Sequence, residues 1–218
     1  MDLYAPRAER EEYSRPEMAA LVPTSATRIL DVGCHSGAFG AALLEQRPHL
    51  ELVGIEPAAE AAERARRRYA RVMQGTFPDG LDPDAKEFDC VVFNDVLEHM
   101  FDPWGALRAT KSLLNGPQSR VLASIPNIRH ADVIADIALR GRFEYTDDGT
   151  LDRTHLRFFT KRSIIEMFTG AGFEIELIEP INVGVLAGRP ARYVRRFGRV
   201  GRELAALQFA VRARAADV

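Results

Sequence analysis

The sequence predicts an α/β protein built on a doubly wound, mostly parallel sheet. Short apolar runs alternate with helix-forming segments from Arg28 to Ile125, a pattern that requires right-handed βαβ crossovers. The first run, Arg28 to Val32, breaks into a turn carrying Gly33, Gly37 and Gly40 and reopens as a helix. A later run, Phe88-Asp-Cys-Val-Val-Phe-Asn94, is apolar enough to be covered on both faces, as parallel strands are.

The elements follow in order. A polar arm to Glu12 precedes a short helix over 13–22 that Pro23 stops, so 1–23 form an arm and cap helix ahead of one domain, 24–218. Strand one spans 28–32, a helix over 38–46 is closed by Pro48, and strand two spans 50–55. The stretch 58–70, rich in Ala, Arg and Glu, predicts a helix, and 72–74 a short third strand. Pro78, Gly80 and Pro83 mark a loop before strand four at 88–94. A helix over 104–114 stops at Asn115-Gly116-Pro117, and strand five runs from Arg120 to Ile125. The alternation lapses over 127–159, with a helix only near 131–139, and a long irregular segment in a compact domain reads as a lid. Thr160 N-caps the next helix, 173–178 is a sixth strand, 189–204 is basic and helical, and 207–213 is a last strand.

The 218 residues are 46% hydrophobic and 28% charged, with a formal net charge of −2. That suits one globular domain and supplies no broad footprint for nucleic acid or membrane. Two cysteines, Cys34 and Cys90, make no disulfide framework and no zinc set. The charged opening, with Arg7, Glu9, Arg10, Glu11 and Glu12, is not the core of a signal peptide. A reduced, cytoplasmic compartment is the expectation.

The glycine turn is a cofactor cradle, because glycine admits a ligand close to backbone and a helix N-terminus turns N–H groups toward it. Its spacing excludes a dinucleotide fingerprint, which needs a second glycine where this chain has His35. The ordered set Leu30-Asp-Val-Gly-Cys34, Val53-Gly-Ile-Glu-Pro57, Phe88 to His99, Ser124-Ile-Pro-Asn127, His155-Leu-Arg-Phe-Phe-Thr160 and Ala171-Gly-Phe173 resembles class I S-adenosylmethionine (SAM) methyltransferases. Within them it is similar to the broad group that includes ubiquinone-biosynthesis O-methyltransferases and enzymes that modify glycans and secondary metabolites. The resemblance covers Arg28 to Phe173 and implies a Rossmann-like, seven-stranded fold with the lid inserted after strand five.

It also implies roles. Gly33, Cys34 and Gly37 would lie against the amino-acid tail and ribose of SAM, with Asp31 holding the loop or the ammonium. Glu56, followed by Pro57, would accept hydrogen bonds from the ribose hydroxyls, unless it is an exposed loop residue. Thr76 and Phe77 stand in the adenine region, with Thr76 where the family usually has an acid. Asn94 would face the methionine part and Leu97 the adenine. Arg15, with Tyr13, would close over the cofactor and pair with its carboxylate, or be a surface arginine.

Other side chains keep two readings. Asp95, Glu98 and His99 are polar loop structure or, with His155, resemble the metal set of small-RNA 2′-O-methyltransferases; no metal is assigned. His155 is the candidate base, or a packed histidine. Arg157 serves the site or pairs with lid acids, Trp104 anchors its helix, and Cys34 and Cys90 are small buried residues. The arginines at 189, 192, 195, 196, 199 and 202 form a solvated helix face or meet an anionic acceptor or an acidic partner.

The expected function is SAM-dependent O-methylation of a small molecule or saccharide by direct in-line transfer, leaving S-adenosylhomocysteine. The alternatives are a metal-assisted 2′-O-methyltransferase acting on RNA, a non-catalytic SAM-binding partner subunit, and a nicotinamide oxidoreductase, which His35 disfavours. Neither a membrane nor a nucleic acid is an expected partner, and oligomeric state is left open.

Overall fold

The computed structural model describes residues 14–183, 185–186, 189–190 and 198–216. Strands β1 (Arg28–Val32), β2 (Glu51–Glu56), β3 (Arg71–Gln74), β4 (Cys90–Asn94) and β5 (Arg120–Pro126) pair in parallel. Strands β6 (Phe173–Val183) and β9 (Ala206–Ala215) add antiparallel partners, giving one seven-stranded sheet in the order β3-β2-β1-β4-β5-β9-β6. The order reverses between β1 and β4, and that switch opens a crevice at the carboxyl ends of the strands.

Side-chain alternation divides the core into two layers. Val91 and Phe93 of β4 and Leu30 and Val32 of β1 face one layer, which α4 (Pro103–Thr110) and α6 (Lys161–Gly170) close with Leu107, Ile164 and Phe168. Cys90, Val92 and Ile29 face the other, closed by Met18 of α1 (Pro16–Ala19), Phe39 and Leu43 of α2 (Ala38–Gln46), and Ala62 and Ala65 of α3 (Ala59–Ala65). Asp31 shares the second face and is buried there. This is the α/β, doubly wound, mostly parallel architecture that the alternating runs predict.

Four local readings change. The helix expected over 58–70 ends at Ala65, because its last turn tightens into i→i+3 bonds from Arg67 to Arg64 and from Arg68 to Ala65. Tyr69 then turns inward instead of continuing a solvated face. The helix expected over 13–22 is only Pro16–Ala19, with Tyr13 outside the described residues. The sixth strand runs to Val183, through Pro180, because β6 is the sheet edge, where a missing N–H is tolerated. Within the span expected to be helical over 189–204, Arg189–Pro190 is a strand (β8) paired with β7 (Val185–Leu186), and only Gly198–Ala205 is helix α7. Arg192, Arg195 and Arg196 lie outside the described residues.

The 127–159 segment returns to its origin, since the Ile128 amide donates to the Phe159 carbonyl at 2.9 Å. Its helix α5 (Ala131–Arg140) rests on the surface, with Ile134, Ile137 and Leu139 exposed. The segment is followed by a capping box in which Thr160 accepts from the Ser163 amide and Ser163 Oγ accepts from the Thr160 amide. Thr160→Ala removes that cap and is expected to lower unfolding free energy by about 1 kcal/mol, read as a lower urea midpoint at unchanged slope.

Candidate active site

The site begins where β1 ends. Gly33 (φ 68°), His35 (φ 47°) and Gly37 (φ 81°) are all left-handed, which folds the loop tightly before α2 opens. A Cβ on Gly33 would stand 2.7 Å from Val96, so only glycine fits there. His35 reaches the same region at a cost of roughly 1–2 kcal/mol, and its amide donates to Glu56 Oε2 at 2.9 Å. The other carboxylate oxygen of Glu56 accepts from the Ala58 amide at 2.9 Å. Glu56 is therefore a buried, doubly anchored carboxylate at the end of β2, and not an exposed loop residue.

A cavity of about 1520 Å³ opens over the crevice. Pockets that hold one drug-sized ligand run to roughly 300–1,000 Å³, so there is room for a cofactor and an acceptor. Asp31, Gly33, Cys34, Glu56, Pro57, Thr76, Phe77, Asn94 and Arg15 all line it. Phe77 is also braced edge-on against Phe93, with ring centroids 5.5 Å apart. Both amide atoms of Asn94 are buried without a hydrogen-bond partner. An unsatisfied buried amide costs about 1–3 kcal/mol, so the end of β4 calls for a ligand that both donates and accepts. A zwitterionic amino-acid tail does both.

Two predicted binding residues stand elsewhere. Leu97 is fully buried in the core, because the short 3-10 turn Leu97–His99 swings it inward and leaves Val96, His99 and Met100 on the wall. Gly37 backs the loop, with its Cα side against Tyr69. Arg15 does reach the cavity, but its guanidinium already pairs with Asp95 and with Glu17. Asp95, itself left-handed, also accepts from Ser124 Oγ at 2.8 Å and Gln208 Nε2 at 2.7 Å.

That network separates Asp95 from the acid and imidazoles that follow it. Glu98, His99 and His155 bring one ligand atom each within 4.8 Å of one another, and Asp95 is not in the group. Two amides from Leu156 and Arg157 donate to the Glu98 carbonyl at 2.8 and 3.0 Å, which seats the 154–157 segment beside the turn. His99 Nδ1 lies 3.0 Å from the Thr154 carbonyl and His155 Nδ1 lies 3.0 Å from the Thr150 carbonyl. A carbonyl only accepts, so each Nδ1 donates a proton there. Glu98 is 1% exposed and neither carboxyl oxygen has a hydrogen-bond partner. Burial, reinforced by the charge of Asp95, pushes its carboxyl well above the ordinary range.

His155 is thus placed behind His99, with ring centroids 4.7 Å apart, and it is His99 that faces the cavity. Arg157 donates to the carbonyls of Leu156 and Phe101 and takes no part in the wall. Trp104 leans on Phe159 at 6.4 Å from α4. Burial drives both thiols, Cys34 and Cys90, upward in pKa, so neither is a nucleophile.

The family described as "Methyltransferase domain" matches residues 5–178. The chain belongs to that family. It is 26% identical over 177 residues to a ubiquinone biosynthesis O-methyltransferase of Ruegeria pomeroyi, covering 78% of this chain and 69% of the relative. The Aeromonas salmonicida protein of the same description is 26% identical over 167 residues, covering 74% and 69%. Among solved structures, a SAM-dependent methyltransferase from Archaeoglobus fulgidus shares the fold with a TM-score of 0.64 at 16% identity, covering 92% of this chain and 91% of that one. The plantazolicin methyltransferase BpumL in complex with SAH superposes with a TM-score of 0.62 at 17% identity, covering 90% and 79%.

The chain is a SAM-dependent methyltransferase, and the glycine cradle, the anchored carboxylate and the orphaned amide fit that cofactor. The nicotinamide alternative falls with the family match. Among the described residues no helix is long and apolar enough to cross a membrane. Glu56→Ala is expected to weaken SAM binding by about 10–100-fold, the worth of hydrogen bonds to a charged group, in calorimetry with NADH as the negative control.

Proposed function

We propose that this methyltransferase acts on a hydroxyl oxygen of a small molecule or saccharide. The observation that carries the reading is the composition of the cavity wall beyond the cofactor residues. There His99 and Thr154 stand among Met100, Phe101, Ala106 and Leu156, with Asp102 on the same wall, so a proton acceptor faces a largely apolar surface. The relatives named as ubiquinone O-methyltransferases support oxygen as the acceptor atom.

In this reading Glu56 holds the ribose hydroxyls, and Thr76, Phe77 and Pro57 surround the adenine. Asp31, Cys34, Asn94 and the amides opening α2 surround the amino-acid tail. Bound SAM supplies an electrophilic methyl on a sulfonium and leaves as S-adenosylhomocysteine. The chain's own contribution is alignment and exclusion of water, which such a displacement needs most. His99 Nε2 takes the hydroxyl proton as the oxygen bonds to the methyl carbon. Residues 24–218 act as one catalytic domain, 1–23 as its arm, and 127–159 as the lid that carries Thr154 and Leu156 to the acceptor.

The cluster of Glu98, His99 and His155 favours a second reading, in which a divalent cation binds there and lowers the pKa of the acceptor hydroxyl. That set of one carboxylate and two imidazoles suits a transition metal. Its acceptor need not be RNA, since the chain's net charge of −2 offers no phosphate footprint.

An acceptor panel of phenols, catechols, nucleotide sugars and a short RNA, assayed with labelled methyl donor, tests the function. Methylation of a hydroxyl compound is expected, and binding of SAM with no turnover on any acceptor would support the partner-subunit alternative. His99→Ala is expected to lower turnover by about 10²–10⁴-fold with SAM affinity retained, while His155→Ala costs far less. Equal loss in His99→Ala, His155→Ala and Glu98→Gln, with chelator abolishing and added metal restoring wild-type activity, would replace the base by the metal.

A further inference from the structure

Tyr69 lies outside every motif of the cofactor loop, yet three glycines around that loop close on it. Its ring lies where a Cβ on Gly37 would come within 3.0 Å and one on Gly54 within 3.1 Å. A Cβ on Gly40 would overlap the ring and its hydroxyl. Three glycines from three different segments, the loop after β1, α2 and β2, therefore close on one aromatic ring. Tyr69 is 6% exposed and does not itself line the cavity.

The hydroxyl completes the arrangement. It accepts from the Gly40 amide at 3.0 Å and donates to Asp31 Oδ2 at 2.5 Å. Gly40 is the third residue of α2, so its N–H has no acceptor inside the helix. The N-cap of α2 is Gly37, which has no side chain to serve it. A phenol from another element thus does what an N-cap hydroxyl ordinarily does, and its proton goes to the buried acid on the cavity wall.

We propose that Tyr69 is a positioning residue of the cofactor site, holding the Asp31 carboxylate and the first turn of α2 in register for the amino-acid end of SAM. The proposal rests on the reading that Asp31 faces the ammonium of that tail. Tyr69 touches neither cofactor nor acceptor and acts through Asp31 and Gly40.

The surroundings of Asp31 make this measurable. Tyr69 faces it from the turn after α3, Glu56 from β2, Cys34 from the loop and Cys90 from β4. Burial pushes the Asp31 carboxyl up to about 7, against the Tyr69 hydrogen bond and with the charge of Glu56. Both thiols are held neutral by burial. A bound ammonium favours the ionised acid, so SAM affinity should rise with pH through about 7 and release up to one proton per molecule bound. The α-amino group of free SAM deprotonates near roughly 7.7–8.0, which limits the rise on the alkaline side.

The experiment is calorimetric titration with SAM from pH 5.5 to 8.5, in buffers of differing ionisation enthalpy to count protons. Tyr69→Phe keeps the ring and removes the hydroxyl. Without its donor Asp31 holds its proton to higher pH, so the rising limb should move alkaline by about one pH unit, and affinity should fall about fivefold at pH 7 and about tenfold at pH 5.5. Gly40→Ala, which displaces the ring with the tyrosine still present, should move the limb the same way. In Asp31→Asn the limb should vanish, and adding Tyr69→Phe should shift nothing further in pH. A Tyr69→Phe protein that keeps the wild-type limb overturns the proposal and leaves Tyr69 a packing residue. Failure of the wild type to bind SAM overturns the cofactor reading instead, and a wild-type affinity flat in pH removes Asp31 from the ammonium.

Discussion

The whole site depends on one close approach, that of the loop after β1 to the ends of β2 and β4. Backbone can come that near only where side chains are missing, and the glycines at 33, 37, 40 and 54 are where they are missing. Each is met by a specific neighbour: Val96 for Gly33, Tyr69 for Gly37 and Gly40, and Cys34 together with Tyr69 for Gly54. The approach brings the His35 amide to Glu56 and the Gly33 amide to the Ile55 carbonyl at 2.8 Å, so the loop is bonded to the very strand whose end carries that buried acid. Loss of any of these fits would open the crevice before it removed a contact with the cofactor.

A second layer of organisation comes from the turn after β4. Asp95 and Glu98 lie three residues apart and look equivalent in the chain. They are separated by what each meets. Asp95 is taken by Arg15, Ser124 and Gln208, which tie α1, β5 and β9 together at the crevice. Glu98 sits instead in a buried niche to which the 154–157 segment delivers His155. The Glu98 carbonyl receives two amides from that segment, so the niche and the end of the 127–159 excursion are one structure. Backbone pairing therefore brings His155 to Glu98 and His99 beside the cavity, across more than fifty residues of chain.

Most of the scaffold was legible because it rests on local patterns. Apolar runs bounded by Gly and Pro marked the strands, the bounds of α2 agreed with its pattern, and Thr160 capped α6 as its chemistry requires. Reading failed where a distant partner overrode a local preference. Residues 66–70 have the composition of a helix, but Tyr69 gains more by burial under α2 than by continuing the turn. Leu97 fits an adenine wall by position, but the core claims it. His155 and His99 are indistinguishable as imidazoles until their depth below the cavity is known. A signal for Tyr69 was present in Gly40 and Gly54, whose missing side chains imply a bulky neighbour, though nothing local says which residue it is.

By itself the sequence determined the parallel sheet and the place of the acid that ends β2, since these follow from periodicity and residue order, all local along the chain, and its ordered motifs carried the resemblance that implied the cofactor class. Tertiary structure alone decided which of several similar acids and imidazoles face the cavity, that Arg15 is committed to Asp95, and that a tyrosine outside every motif closes the glycine loop. Those outcomes depend on which buried polar group finds a partner from another element. A buried charge or amide is too costly to leave unpaired, and its partner is set by the packing of the whole domain.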